Sequence, residues 1–296
     1  MIASEVSIDG ERAPLQGTLL MPDGSEPVPA VLIIAGSGPT DRDGNQPGLR
    51  NDSLKLLARG LTEIGIATLR FDKRGVGASV DAAAAEQGLR FRTYVDDAVS
   101  WMGFLRTQPR VTRLILLGHS EGALVATLAA QRTRIDGLVM VAGAGSPAGI
   151  LLRRQLDSLG LSAELRQAAD AVIVSLEEGR QVSMVPRDLL ALFRPSVQPY
   201  LISWLRIDPV AELAQLTMPA LVIQGTADLQ VSVEDANRLH ASRSGVRLVV
   251  LEGVNHVLKE TPIDRAVNIA SYADPTCPLA RAVVPAIASF VHDRDA

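Results

Sequence analysis

Short apolar runs separated by helical segments are the feature that most restricts the fold of this chain. Six runs rich in Val and Ile lie at 30–36, 66–72, 113–119, 137–143, 219–225 and 246–253. Runs that are apolar on both faces are typical of buried parallel strands. Amphipathic segments such as 52–65 and 94–107 lie between them. This alternation predicts an α/β fold with a mostly parallel sheet that is covered by helices on both faces.

Two regions depart from the alternation. Strand-like segments at 6–8 and 15–20 are joined at Asp9 and Gly10, which predicts a hairpin at the edge of the sheet. From 146 to 217 no segment predicts a strand, and prolines separate the helix-like pieces. Since about 70 residues are too many for an ordinary connection, we expect a helical insertion there. The predicted organisation is a core of residues 1–145 and 218–296 with a helical cap of 146–217.

Composition excludes several classes of protein. The net charge of −4 and an aromatic content of 3% argue against a nucleic-acid surface. No apolar run reaches the roughly 18 residues of a membrane span, and the first twenty residues lack a signal-peptide pattern, so we expect no membrane association. A single cysteine, Cys277, favours a reducing compartment, and we predict a cytoplasmic protein. Without a Cys/His cluster, neither a metal site nor a cofactor is expected.

The stretch "LILLGHSEGALVATLAA" at 114–130 begins as a strand and ends as a helix. Ser120 stands at the junction, between Gly118 and Gly122. A Gly-x-Ser-x-Gly sequence in this setting is the pattern of a nucleophile elbow, in which a strained turn exposes a serine hydroxyl. The alternative is a plain strand-to-helix turn. We expect Ser120 to be a nucleophile.

A serine nucleophile needs a base, and the chain has four histidines. His119 is beside the serine, where its side chain should point away, His240 lies in a helical segment, and His292 lies in the polar tail. Only His256 follows a buried strand. Because catalytic groups in parallel sheets gather beyond the carboxyl ends of strands, His256 is the predicted base.

The acid that orients the base should follow another strand. Asp228 lies three residues beyond Gly225, in a loop with room to turn toward His256. Glu252 is the alternative, although it lies at the end of a strand. The predicted triad is therefore Ser120, Asp228 and His256, in that order along the chain.

This order and its strand context resemble the α/β-hydrolase superfamily over nearly the whole chain. The segments "GSGPTDRDGN" (36–45), "FDKRGVGAS" (71–79), "GHSEG", "QGTADLQV" and "NHVLK" are similar to those of a bacterial branch of serine esterases. That branch is related to serine aminopeptidase-like and acyl-thioesterase-like hydrolases. The resemblance implies an α/β-hydrolase fold with eight strands, the elbow after the fifth strand and a helical cap after the sixth.

The resemblance also implies an oxyanion hole made of two backbone N–H groups, those of Glu121 and Ser37. The chain has Ala-Gly at 35–36 where many relatives have His-Gly, a difference that leaves backbone donors intact. The charged residues at 41–43 either pair with those at 72–74 to stiffen this loop or contact substrate.

The predicted function is hydrolysis of a small-molecule acyl ester through an acyl-enzyme, by a monomer or a homodimer. An acyl-thioesterase or a peptidase-like amidase with the same triad is the alternative, as is acyl transfer to another acceptor. A ligand-binding member of the fold with little or no turnover is the alternative from another class.

Substrate contacts are predicted from the cap and from the loop of the base. Tyr200 and Trp204 belong to the cap, and Asn255 is beside His256, where it either contacts substrate or positions the loop. An apolar acyl pocket has nine candidate cap residues, which alternatively pack the cap onto the sheet: Met184, Leu189, Leu190, Leu192, Phe193, Tyr200, Leu201, Trp204 and Leu205.

Overall fold

The computed structural model describes residues 1–83, 85–262 and 264–293. Over these residues one sheet of eight strands forms in the order β1-β2-β4-β3-β5-β6-β7-β8. The strands are β1 (Ile2–Ile8), β2 (Leu15–Met21), β3 (Val28–Ile34), β4 (Ala67–Phe71), β5 (Val111–His119), β6 (Gly137–Val141), β7 (Ala220–Gly225) and β8 (Val246–Leu251).

Strand directions agree with the prediction of a mostly parallel sheet. β1 is antiparallel to β2, and β2 is antiparallel to β4. All remaining neighbours pair in parallel. The predicted hairpin and the six predicted core strands are thus confirmed, and the carboxyl ends of β3 to β8 meet at one edge of the sheet.

The helices lie between the strands as the amphipathic segments predicted. They are α1 (Ser53–Glu63), α2 (Phe91–Arg106), α3 (Glu121–Ala130), α4 (Ala148–Asp157), α5 (Ala163–Glu177), α6 (Leu190–Phe193), α7 (Gln198–Trp204), α8 (Pro209–Ala214), α9 (Val233–His240), α10 (Arg265–Ala270) and α11 (Val283–His292). Short 3₁₀ turns lie at Gly77–Ala82, Glu86–Gly88, Arg187–Leu189 and Ser271–Ala273. No helix in the described parts of the chain has both the length and the apolar character that crossing a bilayer demands.

Two apolar cores explain why the strand sequences are apolar on both faces. Within β3, Leu32 belongs to the core under α2 and α3. Its neighbour Ile33 belongs to the core under α1 and α11. Because successive side chains of a strand point to opposite faces, a central strand with a core on each side has no position for a solvated residue.

The helices α4 to α8 all lie between β6 and β7, and no strand occurs in this fully described segment. They pack on the α2 side of the sheet, where Trp204 of α7 stacks on Phe91 with ring centroids 5.9 Å apart. The absence of strands was predicted, and it confirms the insertion after the sixth strand. The division into a core of 1–145 and 218–296 and a cap of 146–217 stays a prediction, of which residues 294–296 lie outside the described chain.

Candidate active site

Ser120 lies in a strained turn between β5 and α3. Its φ of 55° and ψ of −122° are costly for a residue with a Cβ atom, at about 1–3 kcal/mol. Its N–H donates to the carbonyl of Val141 at 2.9 Å. A Cβ on Gly118 would lie 2.1 Å from the carbonyl oxygen of Gly122, and one on Gly122 would lie 2.3 Å from that of Ile34. Both glycines are therefore required by close backbone approach.

His256 and Asp228 meet beyond the carboxyl ends of β8 and β7. The Nδ1–H of His256 donates to Oδ2 of Asp228 at 2.8 Å, and the two side chains are 6% and 1% exposed. Glu252, the alternative acid, lies exposed in the turn after β8. Of the two candidate acids, Asp228 is thus the one that the structure brings to the histidine.

Further donors hold the Asp228 carboxylate. Oδ1 accepts the N–H groups of Gln230 at 2.7 Å and Val231 at 3.0 Å, and Oδ2 accepts Nε2 of Gln224 at 3.1 Å. Burial by itself would raise the pKa of Asp228. The charge of His256, its hydrogen bond and the two backbone donors lower the pKa by more. The pKa of Asp228 therefore lies below its ordinary value. The carboxylate is consequently ionised and fixed in direction.

His119 ties the elbow to the loop of His256. Its Nε2–H donates to the carbonyl oxygen of His256 at 2.8 Å, and the two rings are 4.8 Å apart. Burial, followed by the proximity of His256, lowers the pKa of His119 to about 4. The imidazole is therefore neutral near pH 7. Sequence reasoning missed this contact, because it joins residues 137 positions apart and no local pattern signals it.

The two predicted oxyanion donors flank Ser120. Ser37 follows β3, and a Cβ on the preceding Gly36 would lie 3.1 Å from Cβ of Ser120. Glu121 is the first residue of α3, where a backbone N–H has no partner within the helix. Ser37, Ser120 and Glu121 all line one cavity. The residues that carry the two predicted donors thus lie beside the serine, and the oxyanion hole itself stays a prediction.

The charged loop at 41–43 stiffens the neighbouring turn. Arg42 Nε donates to Oδ2 of Asp72 at 3.0 Å, and Arg70 Nε donates to Oδ1 of Asp43 at 2.9 Å. Oδ1 of Asp41 accepts two backbone N–H groups of its own loop, at 2.9 and 2.8 Å. None of these three loop residues is among those that line the cavity of Ser120. The contacts favour the stiffening role, with Asp72 as the only partner from 72–74.

A cavity of about 710 Å³ opens onto Ser120. This volume suits a drug-sized ligand. Five of the nine candidate cap residues line it: Leu192, Phe193, Tyr200, Leu201 and Trp204. The other four do not line it: Leu189 and Leu205 are buried in the core, and Met184 and Leu190 are exposed. Some of the candidate cap residues thus line the cavity, and others pack the inserted helices onto the core or face solvent.

Asn255 serves its own loop. It is 1% exposed, and its Nδ2 donates to Oδ1 of Asn268 at 3.1 Å and to Oγ of Ser271 at 2.7 Å. Its Oδ1 accepts the N–H of Lys259 at 3.0 Å. The side chain is fully engaged and does not line the cavity. Of the two roles predicted for Asn255, these contacts favour the positioning of the His256 loop, and the substrate contact stays a prediction.

The described residues contain no group of three or more His, Cys, Asp or Glu side chains placed to hold a metal ion.

Solved structures share this architecture. Est1E from Butyrivibrio proteoclasticus, determined with ferulic acid bound, superimposes with a TM-score of 0.58 and 19% identity, over 90% of this chain and 95% of that one. Proline iminopeptidase from Mycobacterium smegmatis superimposes with a TM-score of 0.60 and 15% identity, over 98% of each chain. At these identities the likeness defines the class of fold, which is that of the α/β hydrolases.

Sequence comparison defines the family. Residues 52–261 match the family model described as Serine aminopeptidase, S33, and this chain belongs to that family. It is also 30% identical over 271 residues to Esterase EstD of Thermotoga maritima, covering 88% of this chain and 62% of that protein. The chain thus spans less than two thirds of the length of this relative. These findings confirm the resemblance drawn from the motifs.

Proposed function

We propose that this chain hydrolyses carboxylic esters through an acyl-enzyme on Ser120. The observation that carries the proposal is a pair of contacts made by His256: its Nδ1–H donates to Asp228, and its backbone carbonyl accepts from His119, the residue that precedes Ser120. A serine in a strained turn, a histidine and an ionised carboxylate thus lie at one edge of the sheet. A Ser-His-Asp arrangement of this kind performs nucleophilic attack on acyl carbonyls.

Each group has a separate task. Ser120 Oγ attacks the acyl carbonyl carbon while Nε2 of His256 takes the hydroxyl proton. Asp228 keeps the other ring nitrogen protonated and stabilises the imidazolium. The N–H groups of Ser37 and Glu121 bind the oxygen that becomes negative. His256 then returns the proton to the leaving alcohol. In the second half of the reaction, water attacks the acyl-enzyme while His256 takes its proton. The proton passes to Ser120 Oγ as the carboxylic acid leaves.

The cavity supports an apolar or aromatic acyl group on a small molecule. Aromatic side chains of the inserted helices, Tyr200 and Trp204, line it together with aliphatic residues. The relative EstD is described as an esterase, and Est1E was determined with an aromatic acid bound. We infer that residues 146–217 act as a cap that selects the acyl group.

Amide hydrolysis is the second candidate, favoured by the family description, which is that of a serine aminopeptidase. The same three side chains attack esters, thioesters and amides, and the fold does not choose among them. Comparison of p-nitrophenyl esters with p-nitroanilides of the same acyl group separates the two candidates.

A monomer or a homodimer is the proposed assembly. The proposed location is cytoplasmic. Its support is the single cysteine, Cys277, which forms no disulfide in the described chain.

Hydrolysis of p-nitrophenyl esters of increasing acyl length tests the proposal. We expect Ser120→Ala to lower kcat by about 10⁵-fold, because only binding and the oxyanion hole remain. Ser100→Ala, which removes a hydroxyl from the exposed side of α2, serves as the matched control and should keep wild-type turnover.

Labelling with a fluorophosphonate, followed by mass spectrometry, identifies the modified residue. Label on Ser120 supports the nucleophile even where no tested ester is a good substrate. Turnover by Ser120→Ala equal to that of the wild type would contradict the proposal. Neither turnover nor label in the wild type would favour the ligand-binding alternative.

A further inference from the structure

Lys73 is a buried charged side chain that the proposed mechanism does not use. It follows β4, whose parallel neighbour β3 leads into the turn that contains Ser37. The residue is only 3% exposed, whereas lysine is almost never fully buried unless its charge is paired. Among the described residues, no carboxylate forms an ion pair with its ammonium group within 4.0 Å. A buried ammonium of this kind requires another explanation.

The ammonium group is bound to the turn of the predicted oxyanion hole. Nζ donates to the carbonyl oxygen of Gly36 at 2.5 Å and to that of Gly38 at 2.8 Å. These two carbonyls stand on either side of Ser37. Lys73 therefore holds the backbone on both sides of the residue whose N–H is the predicted donor.

The contact to Gly36 fixes the direction of that N–H. The carbonyl of Gly36 and the N–H of Ser37 belong to the same peptide group, and the described chain contains no cis peptide bond. In a trans peptide the C=O and the N–H point in opposite directions. With the ammonium on the carbonyl side, the N–H of Ser37 points away from Lys73. A cation on the carbonyl also polarises the peptide group and makes its N–H a stronger donor.

An aromatic ring also lies near the ammonium. Nζ lies 5.3 Å from the centre of the Tyr94 ring, at a distance where a cation is attracted to an aromatic face. Burial lowers the pKa of Lys73, and the charge of the Glu121 carboxyl opposes that shift. Glu121 is also the residue whose backbone N–H is the second predicted donor. Burial raises the pKa of Glu121, and the charge of Lys73 opposes that shift, so each group favours the ionised form of the other.

We propose that Lys73 is a positioning residue of the oxyanion hole, which orients the Ser37 N–H through the Gly36 carbonyl. The inference rests on the proposed acyl-transfer function. Lys73 should therefore stabilise the transition state more than the bound substrate, because the oxyanion forms only as Ser120 attacks the acyl carbonyl. A lysine that merely supports the fold would affect substrate and transition state alike.

The test compares Lys73→Met, which keeps the shape of the stem and removes the ammonium, with the wild type. Two quantities are measured: kcat and KM for a p-nitrophenyl ester, and the inhibition constant of a trifluoromethyl ketone with the same acyl chain, which forms a tetrahedral oxyanion on serine. We expect kcat to fall about 10- to 100-fold with KM changed less than threefold, a smaller loss than removal of a whole donor causes. The inhibition constant should rise by a similar factor.

Two other variants sharpen the result. Lys73→Gln keeps a neutral N–H₂ donor group without the charge, and we expect its kcat to lie between those of Lys73→Met and the wild type. It also provides the test should Lys73→Met not fold. Lys55→Met removes a partly exposed lysine that pairs with Asp43, and it should keep wild-type kinetics and inhibition.

The outcomes are distinguishable from a failure of the proposed function. Wild-type turnover that Ser120→Ala abolishes establishes the serine hydrolase independently of Lys73. In that setting, values of kcat and of the inhibition constant within twofold of the wild type in both Lys73 variants would overturn the inference. A rise in KM that equals the rise in the inhibition constant, with kcat unchanged, would also overturn it.

Discussion

The carboxyl edge of the sheet and the inserted helices contribute to one cavity by different physical means. At the sheet edge, polar contacts of 2.7–3.1 Å hold each proposed catalytic group, as the four donors around Asp228 demonstrate. In the inserted segment, aromatic stacking contributes as well, with Trp204 lying on Phe91 at an interplanar angle of 7°. Directional hydrogen bonds specify geometry closely, whereas apolar packing tolerates substitutions that keep volume.

The two regions also differ in regularity. The strands that carry the site have neighbours on both sides, apart from β8. The inserted helices α6 and α7 span only Leu190–Phe193 and Gln198–Trp204, and prolines flank or begin them. We therefore propose that the regular sheet edge carries the chemistry and that the inserted helices select the substrate, a division that three substitutions test.

The largest expected effect belongs to the sheet edge. Asp228→Asn keeps the shape of the side chain but removes the charge that holds the His256 tautomer, so we expect kcat to fall about 10³- to 10⁴-fold. Steady-state kinetics on a p-nitrophenyl ester measure the loss. Asp157→Asn, which changes a surface carboxylate of α4, is the control. Full activity in Asp228→Asn would move the role of the acid to another carboxylate, with Glu252 the first to examine.

A smaller effect concerns the contact between His119 and His256. The pKa of His119 is about 4 in the folded chain and 6.5 in its ordinary state. Well above pH 6.5 His119 is neutral in both the folded and the unfolded chain, so it does not make the free energy of unfolding depend on pH there. As pH falls from 6.5 toward 4, the unfolded chain binds a proton that the folded chain does not, and stability decreases by about 3 kcal/mol.

Urea unfolding at about pH 7 and about pH 4.5 checks this shift. We expect the free energy of unfolding to fall more in the wild type than in His119→Asn, by about 2–3 kcal/mol. His292→Asn changes an exposed histidine at the end of α11 and should behave as the wild type does. Equal losses in the wild type and in His119→Asn would show that this histidine is not held neutral.

The smallest effect is expected in the inserted helices. Trp204→Ala removes an aromatic wall of the cavity, so kcat/KM for long-chain p-nitrophenyl esters should fall about tenfold while that for the acetate changes little. Met184→Ala, at an 88% exposed position of the same segment, is the matched control. An equal fall for acetate and long-chain esters would mean that Trp204 supports the site itself and not the acyl pocket.

Much of the fold and part of the site were predictable from local patterns. Apolar runs with neighbouring amphipathic segments identify the strands and helices, because a central strand must be apolar on both faces. The glycines at 118 and 122 indicate the elbow, since its backbone approach excludes a Cβ. Asp228 and His256 were found from their positions after strands, because parallel strands bring such positions to one edge.

Other features were decided by the tertiary structure alone. The sequence did not decide whether Asn255 contacts substrate or positions its loop. Its partners Asn268 and Ser271 belong to a later segment that packs against this loop, and no local pattern indicates that contact. Which of the cap residues line the cavity and which belong to the core depends on how the short helices α6 and α7 pack against the rest of the domain. Periodicity identifies an apolar face, but it does not identify what that face meets.

Lys73 illustrates the boundary between the two. In sequence it is one letter of a charged motif, and the pairing expected for 72–74 was with the loop at 41–43. In the structure the adjacency of β3 and β4 places its ammonium under the turn of Gly36 and Gly38. The spacing of residues along the chain determined which of them lie just beyond the carboxyl ends of the strands. The order and register of the strands decided which of those residues touch, because contacts between distant segments have no local signature.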